Sequence, residues 1–248
     1  MSTVRLVDRC FPEDPALDAA LATALLRRAS RDPGTDRVVR IYSPAPTVAF
    51  GRLDANRPQF GEVAATTRQH GFAPVVRGTG GRAAAYHEQT VVLEIIAPDD
   101  EGPAGVKPRF GRFAGDLVEV LQALGVDARI GPVPGEYCPG DWTVNGAGRV
   151  KLAGTAQRVM ARAWMIGAEL VVTNADPIRA VLADVYAALE LDFDPATAAS
   201  VADLQPDVTV DSVRSALVAH FGVTDALVVD DELVSEARTL RHRHEVAQ

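Results

Sequence analysis

A chain of 248 residues, 47% of them hydrophobic, is long enough to bury one large core, or one core with a small annex, without a disulfide or metal staple. The balance of 33 acidic against 25 basic residues, a net charge of -8, argues against a nucleic-acid binder, whose phosphate contacts demand a basic domain. Cys10 and Cys138 have no CxxC partner, no apolar run approaches the roughly 18 residues of a membrane span, and the opening MSTVRLVDRC lacks the basic-then-apolar pattern of a targeting segment. The expectation is a protein of the reducing cytoplasm, with no membrane, no nucleic acid and no structural metal.

In chain order, residues 4–7 are a short apolar strand signal, and Asp14-Pro15 offers an N-cap followed by proline at the first helical position. Leu17, Leu21, Ala24 and Leu25 recur at helical spacing, which predicts an amphipathic helix over 15–30. DPGTD at 32–36 is a turn. Residues 38–42 and 47–50 read as strands joined through Ser43-Pro44-Ala45-Pro46, and they look like a hairpin. Gly51-Arg52 ends the second of them, a helix is expected from Pro58 to His70 with Gly71 as its left-handed stop, and 74–77 is a strand. That strand runs directly into Gly78-Thr79-Gly80-Gly81-Arg82-Ala83-Ala84-Ala85, where backbone amides can approach a ligand with no side chain intervening.

Residues 91–96, a β-branched run, give the strongest strand signal. A loop rich in Gly, Pro and acids over 98–106 precedes a helix marked by Phe113, Leu117, Val120, Leu121 and Leu124 and closed by Gly125, after which 128–130 returns as strand. Residues 142–144 and 149–152 flank Asn145-Gly146-Ala147-Gly148, a turn sequence that predicts a β-hairpin, and 163–172 is a strand with Trp164, Ile166, Ala168 and Leu170 on one face. After Asp176-Pro177 the pattern changes to helices at 178–189, at 211–221 with Asp211 as cap, and at 230–244. The division this suggests is an α+β catalytic domain over 1–190, a mixed, mostly antiparallel sheet flanked by helices, and a short helical C-terminal appendage over 191–248.

Of the 25 basic residues only Lys107 and Lys151 are lysines. A chain that uses arginine almost wherever a cation will do thus places a titratable ammonium at 151, beyond a short predicted hairpin from an isolated cysteine, and this marks Cys138 and Lys151 as candidate catalytic residues. An arbitrary cysteine is more often a small buried residue with an inert thiol, but Cys138 stands in a loop of Pro and Gly outside any apolar periodicity; Cys10 has no such context and reads as structural. Arg77, Arg82, Arg149, Lys151, Arg158 and Arg162 fall in or beside the glycine-rich segments, so a local basic rim for an anionic substrate or an acidic partner is expected. His87 suits either proton transfer or the capping of a turn, and His242 and His244 read as a solvated helix end rather than as metal ligands.

Three stretches, PTVAFGRLDANRP at 46–58, VVRGTGGRAAAYHE at 75–88 and VKLAGTAQR at 150–158, together resemble the lipoate-protein ligase and octanoyltransferase family, whose catalytic domain has the biotin/lipoate protein ligase-like fold. The resemblance implies that Lys151 lies next to the carboxyl carbon of a bound acyl group, that Gly80 and Gly81 line the acyl tunnel, and that small residues at 83–85 leave an apolar slot open. It implies substrate-binding roles for Arg77, Thr79, Arg82, His87, Gly154 and Gln157 as well. Glu136-Tyr137-Cys138-Pro139-Gly140-Asp141 is most similar to the Tyr-Cys-Pro-Gly segment of the cysteine-dependent branch, which moves octanoyl or lipoyl groups between lipoyl domains, whereas RGTGGRA is nearer to the branch that takes octanoyl from acyl carrier protein. Val91, Val92 and Leu93 stand where the ligases carry an asparagine-containing segment, and Ile166-Gly167 where a histidine-glycine pair is usual; both departures weaken the ATP-dependent reading.

The resulting expectation is a cysteine-dependent acyltransferase that passes an octanoyl or lipoyl group through a thioacyl-enzyme on Cys138, with Lys151 orienting and polarising the acyl carbonyl. The acceptor is a lysine of a lipoyl domain, in the glycine cleavage H protein or a 2-oxoacid dehydrogenase E2, and the donor is an acyl carrier protein or an acylated lipoyl domain. No cofactor is then expected, because a thioester already holds the acyl group activated. The alternatives are a lipoate-protein ligase that uses ATP and Mg and acts through lipoyl-adenylate, with Cys138 incidental, and a non-catalytic acyl- or partner-binding module of the same fold.

Overall fold

The computed structural model describes residues 3–99 and 101–247; the parts of the expectations that fall on Met1, Ser2, Asp100 and Gln248 lie outside the described residues. Strand β1 (Val4–Val7) leads into α1 (Pro15–Arg31), which starts where its cap predicts, with the Asp14 carboxylate accepting from the Leu17 N–H at 3.3 Å. There follow β2 (Arg37–Tyr42), β3 (Thr47–Phe50), a short α2 (Arg52–Ala55), α3 (Phe60–Gln69), β4 (Ala73–Val76), β5 (Ala84–Tyr86) and β6 (Thr90–Pro98). The second half comprises α4 (Val106–Ala123), β7 (Ala128–Ile130), β8 (Val144–Gly146), β9 (Val150–Met160), β10 (Ala163–Val171), α5 (Asp176–Ala188), α6 (Val210–His220), β11 (Asp225–Ala226) and α7 (Asp231–Leu240).

A large sheet runs in the order β11-β1-β2-β6-β10-β9-β8-β7 and a small one in the order β4-β3-β5. In the large sheet β1 pairs in parallel with β2 and β11, and the other neighbours are antiparallel, so the mixed, mostly antiparallel α+β sheet expected from sequence is what the chain builds. The expected hairpin of β2 and β3 is not formed: β2 pairs with β1 and β6, β3 with β4 and β5. Pro44 and Pro46 lack the N–H groups a hairpin turn would use and hold extended backbone, so their segment carries the chain from one sheet to the other.

Alternation along β10 assigns the faces of the large sheet. Ile166, Ala168 and Leu170 join the core shared with α4 and α6, Trp164 packs beside them as predicted, and Met165, Gly167 and Glu169 face the opposite side under α1. There Leu17, Leu21, Leu25 and Leu26 of α1 bury against Leu233 and Leu240 of α7, each fully buried leucine contributing about 1.5–3 kcal/mol. The floor of this side also holds the fully buried Arg40, paired with Asp18 at 2.6 Å and Glu94 at 3.1 Å. Ile178, Val181 and Tyr186 of α5 close the small sheet.

Residues 191–248 are not helical throughout. They supply β11 at the end of the large sheet, α7 against α1, and Glu245, whose backbone bridges Val75 at the edge of β4. Helix α6 is capped by Thr209, whose hydroxyl accepts from the Ser212 N–H at 3.2 Å, rather than by Asp211, which lies inside the first turn. The loop expected over 98–106 is shortened because β6 runs to Pro98 and Gly102–Gly105 forms a 3-10 turn.

Candidate active site

Cys138 lies in the loop between β7 and β8 with φ of 42°, a left-handed conformation that costs a non-glycine residue about 1–3 kcal/mol and persists where its surroundings impose it. Three sets of contacts impose it here. The Cys138 N–H donates to the Tyr186 hydroxyl at 2.6 Å, and that hydroxyl donates onward to the Ala83 carbonyl at 2.9 Å. The Cys138 carbonyl accepts from Lys151 Nζ at 2.8 Å. The sulfur rests on the glycine loop, accepting from the Arg82 N–H at 3.2 Å and from Arg77 Nη2 at 3.5 Å.

Lys151, at the start of β9, has a side chain 0% exposed. Its ammonium donates to the carbonyls of Tyr137 (2.9 Å) and Cys138, lies 3.2 Å from Glu136 Oε2, and sits 4.5 Å from the centre of the Tyr137 ring. Three donors meet three acceptors, so the ammonium is turned toward the cysteine loop and lines neither of the clefts described below. Glu136 completes the brace by accepting from the Thr143 hydroxyl at 3.0 Å.

The glycine loop is shaped around the thiol. Gly81 has φ of 100°, and a Cβ there would lie 2.5 Å from Arg77 Nη2 and 2.8 Å from Cys138 Sγ, so glycine is what lets sulfur and guanidinium meet. Buried Asp54 of α2 pins the loop, accepting from Arg82 Nη1 and from the Ala83 N–H, both at 2.8 Å. The Arg82 side chain is thereby tied back while its N–H faces the cysteine. Ala83–85 do not leave a slot open, contrary to expectation: they are fully buried in the small-sheet core with Tyr137, Ile178 and Tyr186, where their small size lets β5 approach α5.

Two clefts meet at Ala156. The first, partly open to solvent, lies over Met165, Gly167 and Glu169 beneath α1, with Tyr42, Arg77, Thr79 and Tyr86 in its wall. The second holds Cys138 together with Gly80, Gly81, Thr155 and Gln157. Gln157 Nε2 donates to the Val106 carbonyl at 3.1 Å, while its buried Oε1 has no partner. Gly154 makes room rather than contact: a Cβ on it would lie 2.7 Å from Glu169 Oε1 and 3.1 Å from Lys151 Cε. Burial pushes the Glu169 carboxyl up against the pull of Arg77 and Lys151. Burial also draws the Arg77 guanidinium down, but Cys138 and Glu169 outweigh it and leave it above its usual value.

The structure therefore brings Cys138, Lys151, Arg77, Gly80, Gly81 and the Arg82 N–H together, with Thr79, Gly154 and Gln157 adjoining. His87 is apart: its Nδ1 accepts from the Gln89 N–H at 3.0 Å, which leaves the proton on Nε2 to be donated to the Asn174 carbonyl at 2.9 Å, and it lines neither cleft. The expected basic rim does not assemble, because Lys151 is buried, Arg82 is paired and Arg149 and Arg162 stand exposed at strand ends. His244 is buried rather than solvated, bonded to the Val76 carbonyl at 2.7 Å and the Thr23 hydroxyl at 3.1 Å. Burial, with help from Asp18, pushes the Cys10 thiol up. Glu136, Asp54, Tyr186 and Glu169 were not singled out from sequence. Asp54 and Glu136 lie within the quoted motifs, whereas Tyr186 and Glu169 give no local signal.

Compared with known proteins, residues 14–222 match the lipoyl protein ligase A/B catalytic domain. An octanoyl-[GcvH]:protein N-octanoyltransferase of Geobacillus kaustophilus is 28% identical over 167 residues, 67% of this chain and 57% of that protein. One from an Exiguobacterium species is 30% identical over 49% of this chain and 42% of its own length, and a lipoyl-[GcvH]:protein N-lipoyltransferase of Listeria monocytogenes is 24% identical over 68% and 62%. The chain thus spans about half the length of the curated relatives it matches. A crystal structure of lipoate-protein ligase A bound with ATP superposes with a TM-score of 0.78 at 23% identity over 98% of this chain and 95% of that one, a likeness of fold.

Proposed function

Because the chain belongs to the lipoyl protein ligase A/B catalytic-domain family, we propose that it is a cysteine-dependent acyltransferase that moves an octanoyl or lipoyl group to a lysine of a lipoyl domain. The observation that carries this reading is the setting of Cys138: a thiol on a constrained, positive-φ loop, touching a guanidinium and a backbone N–H, at the edge of a cleft. In this reading Arg77 and the Arg82 N–H hold the sulfur at the edge of the cleft. The sulfur attacks the thioester carbonyl, the new C–S bond forms as the old one breaks, and the donor thiol departs with a proton. The acceptor amine then attacks the enzyme thioester, forming the amide and returning the thiol to Cys138.

The acyl chain would lie in the first cleft beside Thr79 and Tyr86, and the acceptor lysine would enter through the second, past Gly80, Gly81 and Gln157. Lys151 orients the nucleophile through the loop carbonyls, and the polarising role expected of it passes to Arg77 and the Arg82 amide. Residues 1–190 carry this chemistry and 191–248 buttress it. The lipoyl-domain setting follows the names of the relatives, which pair an octanoyl- or lipoyl-bearing GcvH with a protein acceptor. The compartment in this reading is the cytoplasm, and no helix among the described residues is long and apolar enough to cross a membrane.

The test is a two-step transfer without nucleotide. Protein loaded with octanoyl thioester, freed of donor and mixed with an unmodified lipoyl domain should pass octanoyl to its lysine, and Cys138→Ala should not. Transfer that requires ATP, with pyrophosphate exchange surviving Cys138→Ala, would replace this reading by the ligase; acyl binding with neither activity would leave a binding module.

A further inference from the structure

On the α4 face of the large sheet a third cleft opens between α4 and the start of β2. Arg37 of β2, Arg109 and Arg112 of α4 and Trp164 of β10 form its walls, and the buried Ile95, Phe113 and Ile166 form its floor. Trp164 ties the walls together: the guanidinium carbon of Arg37 lies 6.0 Å from the centre of its ring and that of Arg109 5.2 Å. Cations at that range are drawn to the electron-rich face of the indole. The cleft stands beside the cysteine cleft without joining it. Ile166 pairs across the β10–β9 ladder with Gln157, which lines the cysteine cleft, and α4 sends Phe110 into that second space.

Most of the charge around this cleft is already matched. Arg109 donates to Asp99 at 3.1 Å and to the Gly102 carbonyl at 3.0 Å, and Arg112 donates to Glu101 at 2.9 Å. Asp116, the one acid in the walls, is bonded to His220 at 3.1 Å. Arg37 has nothing comparable. Among the described residues no carboxylate pairs with it, and its buried Nε has no partner, nor has Nε of Arg109. Burial draws the half-buried Arg37 guanidinium below its usual value, with Arg112 acting in the same direction and Asp116 against it. A cation withdrawn from water without a counter-ion is costly, and an anion entering the cleft offsets that cost. The guanidinium fork matches the two oxygens of a carboxylate.

A bare inorganic anion would answer the charge and leave the floor to water. Ile95, Phe113, Ile166 and the flat indole of Trp164 present apolar surface beside the unpaired guanidinium, the combination of apolar lining and a few placed polar groups that holds small molecules. We propose that this cleft binds a small organic carboxylate, its oxygens on the Arg37 fork with Arg112 as a second cation and its apolar body against Trp164 and the floor. The site is separate from the thiol, so it stands or falls independently of the transferase reading.

The test uses benzoate and benzamide, which share a planar shape and differ in charge. The chain has two tryptophans, so in a Trp142→Phe background the emission of Trp164 reports on the cleft alone. Benzoate should change that emission saturably and bind at least about tenfold more tightly than benzamide, the size of one charge-assisted contact. Arg37→Gln in the same background should bring the two probes to equal affinity. Among the described residues that substitution breaks no side-chain ion pair, so folding is not at stake, and an unchanged melting temperature checks this. Equal affinities before the substitution would overturn the site. So would a preference that survives it, since benzoate would then be lodged in a cleft beside the glycine loop. Inorganic phosphate that competes as well as benzoate would overturn the apolar half of the proposal and leave an anion site only. Where the emission does not respond, calorimetry on the same proteins decides: heat of benzoate binding that Arg37→Gln abolishes sustains the site, and no heat ends it.

Discussion

Replacing Lys151 by methionine keeps the aliphatic stem and deletes the ammonium, which strands the buried Glu136 carboxylate and leaves the Tyr137 and Cys138 carbonyls without their donor. Breaking a buried ion pair by removing one partner costs about 3–5 kcal/mol. At about 2–4 °C per kcal/mol for a chain of this size, Lys151→Met should melt about 6–20 °C below wild type by circular dichroism. Hydrogen exchange should accelerate across residues 133–143, the loop that Lys151 and Glu136 brace. Adding Glu136→Gln removes the stranded charge and should recover part of the loss. If Lys151→Met melts within about 1 kcal/mol of wild type with unchanged exchange in the loop, yet loses acyl loading, then Lys151 acts on the acyl carbonyl and the bracing role assigned to it is wrong.

Gly81→Ala would place a methyl 2.5 Å from Arg77 Nη2 and 2.8 Å from Cys138 Sγ; loading of the thiol should fall at least about 100-fold, an effect of about 2.7 kcal/mol or more on the barrier, and normal loading would show that the sulfur–guanidinium contact does not matter. Tyr186→Phe orphans the Cys138 N–H and the Ala83 carbonyl and should destabilise by about 1–3 kcal/mol; an unchanged denaturation midpoint would mean the strained cysteine is held by something else. Glu169 has a folded-state pKa raised above its ordinary 4.5, chiefly by burial, so the folded protein binds that proton more tightly than the unfolded chain. Its favourable contribution is complete below the unfolded pKa and lost as pH rises through the folded one. Glu169→Gln should therefore melt higher than wild type at neutral pH, with the difference closing in acid; a difference independent of pH contradicts the assignment.

Features governed by local periodicity were legible before the fold was known. The Asp14 cap and the alternation of Ile166, Ala168 and Leu170 follow from neighbours a few residues apart, and the structure repeats them; the hairpin expected about 145–148 forms too, but its turn falls at 147–149 because Asn145 and Gly146 pair as strand with Lys151 and Val150. The pairing of Cys138 with Lys151 was legible for a different reason, the scarcity of lysine. The direction of the Lys151 side chain was not, because no periodic signal says whether an ammonium faces a ligand or a backbone carbonyl. The misread hairpin at 38–50 has a similar origin: two strands adjacent in sequence pair only if the linker can turn, and Pro44 and Pro46 send the second strand to another sheet. Ala83–85 suggested empty space, but small side chains equally allow elements to close on one another, and here β5 closes on α5. Tyr186 lies 48 positions from the cysteine it holds, beyond any local pattern.

The claim on which the rest depends is that Cys138 carries the acyl group. Mass spectrometry of the intact protein after exposure to an octanoyl thioester, followed by peptide mapping, addresses it directly. We predict a single hydroxylamine-labile octanoyl group on the peptide that contains Cys138, present in wild type and in Cys10→Ser and absent from Cys138→Ser. Octanoyl found instead on Lys151 or Cys10, or an unacylated protein that still passes octanoyl to a lipoyl domain, would contradict the account.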